Sequence, residues 1–137
     1  MRAVCDEEWD KKLDKLENFL KLLADTKIIV FGCGRRGRAL LKLQDMFNLD
    51  FVAYTDNNEK LWGTNFDKYP VIAPSEINKD FPAAKIIIAN KLNGEKIKAQ
   101  LIRLGVEENR IMLLKVLPEV NHLIVAAVLK RANQGEL

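Results

Sequence analysis

At 137 residues, with 48% apolar and 30% charged side chains, the chain fits one globular domain with a real core and not a disordered polypeptide. Its net charge of +3 is small and evenly spread, which argues against nucleic acid as a partner. No apolar run approaches the roughly 18 residues of a membrane span and no signal peptide opens the chain, so a reducing cytoplasm is the expected compartment.

Residues 6–25 read as an amphipathic helix, because Trp9, Leu13, Leu16, Leu20 and Leu23 recur at spacings of four and three. Such a helix either lies on the body of the domain or makes a dimer contact. Lys27–Phe31 is the first strand, and its apolar run suits a parallel strand covered on both faces. The run breaks into Gly32, Gly34 and Gly37 at G-x-G-x-x-G spacing, and Arg38–Phe47 follows as the first crossover helix. Asp50–Tyr54 is the second strand, with Asp56 just beyond its end. The next loop, 57–64, is polar and turn-rich. Its Trp62 reads as an anchor tucked onto the core, the alternative being a lid over an adenine or a sugar.

Tyr69–Ala73 forms a short third strand, and Pro74 opens a brief helix to about Lys79. Ala84–Ala89 gives the fourth strand, followed by a loop from Asn90 to Gly94 and a helix, Glu95–Leu104, stopped by Gly105. Ile111–Val116 is the fifth strand. From Pro118 a nearly continuous apolar helix wants more partners than one sheet face supplies, through self-association or a neighbouring domain. This alternation predicts an α/β, Rossmann-like three-layer fold with a mostly parallel sheet of about five strands. The units are an N-terminal amphipathic helix in 1–25, the nucleotide-binding domain in 26–117, and an apolar helix and tail in 118–137.

Strand, glycine turn, helix, strand and terminal acid, in that order, are the sequence form of a dinucleotide-binding βαβ unit. Gly32 lets the chain turn out of the strand, Gly34 lacks a Cβ that would block a phosphate, and Gly37 lets the helix pack closely. The free amides and dipole of that helix favour an anion. Asp56 stands where a carboxylate accepts from ribose hydroxyls. Its replacement by alanine is expected to weaken a ribose-bearing ligand and leave melting nearly unchanged. In the competing reading the turn binds nothing and Asp56 caps its own loop.

Arg35, Arg36 and Arg38 crowd the turn, where a dehydrogenase often has a small or apolar residue before the third glycine. They either pair with phosphates or stand solvated on the first helical turn. Asn90, at the carboxyl edge of the sheet, is a further ligand-contact candidate, with turn formation as its other role. Cys33 fits the turn by its small size, and it makes no metal spacing with Cys5. The single histidine, His122, reads as a helix-face residue. With no G-x-S-x-G elbow, Walker lysine or Tyr-x-x-x-Lys pair, no catalytic residue and no metal site is assigned.

The segments FGCGRRG, FVAYTDNNEKLWG, YPVIAPSEI and KIIIAN, with a helix ending in LG, resemble a small Rossmann-like module over roughly residues 26–116. Such modules accompany sugar-nucleotide and polysaccharide enzymes, including the N-terminal domains of sugar acyltransferases and the nucleotide-binding part of capsule-type dehydratases and epimerases. The resemblance implies the fold and a ligand at the glycine edge, carried by Gly32, Gly34, Gly37 and Asp56. The catalytic and acyl-transfer parts of the larger enzymes have no counterpart here.

The leading expectation is a nucleotide-binding module without independent catalysis. NAD(H) is its first ligand, since Asp56 would repel the 2′-phosphate of NADP, and a UDP-sugar its second. An S-adenosylmethionine-dependent methyltransferase is the enzymatic alternative. An assembly module with a vestigial site is the third, working as a homo-oligomer or beside a partner domain through the terminal helices.

Overall fold

A computed structural model describes residues 21–90 and 92–113, with positions 11, 14 and 18 before them. These three positions and residues 21 and 22 are helical, whereas residues 23–25 form a turn, within the helix read over 6–25. The rest of that helix, the apolar C-terminal helix, Cys5, His122 and the end of the fifth predicted strand lie outside the described residues.

Among the described residues six strands form one sheet: β1 (Lys27–Phe31), β2 (Asp50–Thr55), β3 (Asn65–Phe66), β4 (Tyr69–Ile72), β5 (Lys85–Ile88) and β6 (Ile111–Leu113). Their spatial order is β3-β4-β2-β1-β5-β6, parallel throughout except where β3 meets β4. From β1 onward, the α-helices among the described residues are α1 (Arg35–Phe47), α2 (Ile77–Asp80) and α3 (Gly94–Arg103). The fold is Rossmann-like and α/β.

Two details depart from the sequence reading. The sheet has six strands where about five were expected, because Asn65–Phe66 pairs back on Tyr69–Pro70 as a hairpin too short to show alternation. Helix α1 begins at Arg35, three residues earlier than predicted. Gly37, the third glycine of the turn motif, is therefore inside the first helical turn.

Both faces of the sheet are covered. On β1, Ile28 and Val30 join Leu40, Leu43, Phe51 and Tyr54 in one apolar cluster, while Ile29 and Phe31 join Ile86, Ile88, Ile97 and Leu101 in another. Alternate side chains point to opposite faces, so a strand enclosed by helices on both sides must be apolar at every position. That is the physical reason the runs in β1 and β5 are unbroken.

The topology also fixes where a ligand can sit. From β1 the chain crosses to β2 on one side, and later returns to β5 on the other. The turns after β1 and β5 therefore diverge at their carboxyl ends and leave a crevice between them.

Candidate functional site

Gly32 follows β1 with φ of +126°, a region that L side chains rarely adopt, and its amide donates to the Thr55 carbonyl at 2.8 Å. Gly37 is required for a different reason. A Cβ there would overlap the Gly32 carbonyl oxygen and press on the Tyr54 ring. The Tyr54 hydroxyl in turn donates to the Gly37 carbonyl at 2.7 Å, fastening the start of α1 to β2. Burial first, then the neighbouring Tyr69, pushes the Tyr54 hydroxyl pKa well above its usual value, so it stays a donor.

Gly34 caps α1 without a side-chain acceptor and is exposed, with no atom within 4 Å of where a Cβ would sit. No acidic side chain occupies the first turn of the helix. The positive end of the α1 dipole therefore has no side-chain cap and no carboxylate in that turn.

Asp56 ties the site together. One carboxylate oxygen accepts the Cys33 amide at 2.9 Å and the other accepts the Asn58 amide, also at 2.9 Å. The loop-capping role thus holds, but it does not exhaust the group, because a carboxylate offers about four lone-pair sites and these two bonds use two. The carboxylate is held in place and still lines an open cavity of about 450 Å³. Asp56→Ala would strip an acceptor from the part-buried Cys33 amide and from the exposed Asn58 amide, so a lowered melting temperature is expected where the sequence alone predicts none.

That cavity lies at the carboxyl edge of the sheet. Gly32 and Asp56 line it from β1 and β2, Asn90 from the end of β5, and Lys96, Gln100 and Arg103 from α3. Gly32, Asp56 and Asn90 are thus brought together, whereas Gly34, Arg35, Arg36 and Gly37 are not among its lining residues. Arg38 turns away to lie over the Phe66 ring, 4.7 Å from its centroid. Asn90 also works as a turn former, its side chain accepting the Asn93 amide at 2.9 Å.

Sequence reasoning missed Lys96, Gln100 and Arg103. Their signal is the spacing: positions i, i+4 and i+7 on a helix share one face, and this helix starts just past a strand end. It missed Asn57 as well, whose side chain exchanges two hydrogen bonds with Gln100, at 2.9 and 2.8 Å. Trp62 is not tucked onto the core. It is 37% exposed, its indole N–H donates to the Asp56 main-chain oxygen at 2.7 Å, and it lines a second cavity of about 430 Å³.

Cys33 is half-buried in the turn, and its thiol pKa is raised from 9.0 to about 11, by burial first and by the Asp56 charge second. A thiol so disposed is a poor nucleophile at neutral pH. Among the described residues, no cluster of histidine, cysteine or carboxylate side chains could hold a metal. None of the described helices is long and apolar enough to cross a membrane.

Solved structures share this architecture at low identity. The repressor RSP in complex with β-NAD+ and operator DNA is 18% identical with a TM-score of 0.51, over 90% of this chain and 69% of that one. RSP is also described as a Rex-family repressor in a structure with TM-score 0.53, 14% identity, and coverage of 92% and 68%. UDP-D-quinovosamine 4-dehydrogenase from Vibrio fischeri is 18% identical with a TM-score of 0.51, over 76% of this chain and 87% of that one. No curated protein matches the sequence.

One expectation falls with these findings. The small net charge argues against nucleic acid as a partner, yet a protein of this fold occurs in a complex with operator DNA. The physical error is that DNA affinity follows the Lys and Arg side chains that meet phosphates, and an average over a whole chain does not count them.

Residues 24–112, which hold the whole sheet but its final residue and every feature of the cavity, match the family model C2185-like, N-terminal, and the chain belongs to that family.

Proposed function

We propose that this chain is a nucleotide-binding module, with NAD(H) as its leading ligand and no catalysis of its own. The observation that carries the reading is the fixed Asp56 carboxylate. It lines the cavity at the switch point of the sheet, one strand from an uncapped helix end. In this reading the dinucleotide phosphates face the Gly32–Gly34 turn and the ribose diol donates to Asp56. Lys96 and Arg103 make the cavity favourable for anions from the opposite wall. RSP, of the same fold, takes β-NAD+. A UDP-sugar is the second ligand class, on the strength of the dehydrogenase likeness and the sugar-nucleotide modules that the sequence resembles.

A thermal-shift panel of NAD+, NADH, NADP+, UDP-sugars and S-adenosylmethionine tests the reading. A true ligand at 100 times its Kd adds about 2.7 kcal/mol of stability, and NADH or NAD+ is expected to give the largest shift. Gly34→Ala, whose methyl group meets nothing in the unliganded protein, should keep the melting temperature and lose the shift. If no nucleotide stabilises the protein, or if Gly34→Ala binds as the wild type does, the assignment is wrong.

A further inference from the structure

The second cavity adjoins the first, and Asn57 and Gln100 stand in the lining of both. Their reciprocal amide pair, at 2.9 and 2.8 Å, borders both spaces. In the second, Trp62, Pro74 and Leu104 supply apolar walls. The indole is fixed by its N–H to the main-chain oxygen of Asp56, the residue whose carboxylate reaches the first cavity.

We infer that this second cavity is an adenine pocket, with Trp62 as its stacking platform and the Asn57–Gln100 pair as a clasp that opens to read the base. The inference rests on the nucleotide reading of the adjoining cavity. Three features favour adenine as the occupant. A carboxamide presents a donor and an acceptor side by side, the complement of the amino group and ring nitrogen of adenine. The amide pair is solvent-exposed, so opening it exchanges hydrogen bonds at little net cost. An aromatic ring pinned at one edge is already ordered, so stacking a base on it loses little side-chain entropy. Because the indole is tethered through Asp56, ribose and base contacts would share one support.

Isothermal titration of the intact chain with ADP and with nicotinamide mononucleotide separates the possibilities. Trp62→Leu, which lines only the second cavity, should weaken ADP by about tenfold or more, the size of a lost stack, and leave the mononucleotide unchanged; Gln100→Leu should weaken ADP as well. Trp62→Phe loses the tether but keeps a ring, and should recover most of the ADP affinity. Far-UV circular dichroism confirms that each variant is folded. If ADP affinity falls with Gly34→Ala but not with Trp62→Leu, the base pocket is overturned and the nucleotide site stands. Loss of the mononucleotide in place of ADP reassigns the pocket to nicotinamide and also overturns the adenine inference. If the wild type binds neither, both readings fall together.

Discussion

At the glycine turn, two neighbouring glycines respond to alanine in opposite ways. Gly37→Ala forces a methyl group into the Gly32 carbonyl, so α1 or the turn must shift, and a loss of about 1–3 kcal/mol is expected in urea unfolding. Gly34→Ala meets open space and should cost less than about 1 kcal/mol. Cys33 gives a pH prediction. Its folded pKa of about 11 lies above the ordinary 9.0, so between these values the native state holds a proton that the unfolded chain has released. Stability contributed by this group is therefore complete below pH 9 and declines as pH climbs through 11. At pH 8 the folded protein also carries about 100-fold less Cys33 thiolate than an ordinary cysteine, and alkylation followed by mass spectrometry should show Cys33 slow until the chain is unfolded.

Among elements, the amino-terminal edge of the sheet is held by one buried cation. Arg110 donates to the Ala84 carbonyl at 2.8 Å, to the Asn78 side chain at 2.6 Å and to the Phe81 carbonyl at 3.0 Å. It thereby binds the approach to β6 to α2 and to the loop between α2 and β5. Arg110→Met would leave the buried Ala84 carbonyl and two part-buried acceptors without their donor, and a loss of about 1–3 kcal/mol is expected. Nucleotide binding should survive, because the cavity is at the other end of the strands. Tyr54→Phe tests the opposite edge: losing the bond to the Gly37 carbonyl should cost about 1 kcal/mol or more and loosen the start of α1. Strands β1 and β5 were legible because burial on both faces demands continuous apolar residues. The Asn57–Gln100 pair was not, since its partners are joined by the crossing of β5 back beside β1 and no local pattern records that closeness. Asp56 was legible as an acid at a strand end, but its two amide bonds depend on how the turn after β1 folds over it.

For the whole molecule, protection should fall from the middle of the sheet outward. Ile29, Val30 and Ile87 are fully buried in strands paired on both sides, so their amides should exchange at the global unfolding limit. Asn65 and Phe66, in a two-residue strand, should exchange by local opening, and hydrogen-exchange mass spectrometry would distinguish the two regimes. That short hairpin has a consequence at larger scale. The margin of a sheet is a template onto which a foreign strand can add, and here it is only two residues long, facing a β4 whose Pro70 has no amide to donate. An intruding chain would find too few bonds to hold it, so on this flank the molecule is guarded against fibril-like growth.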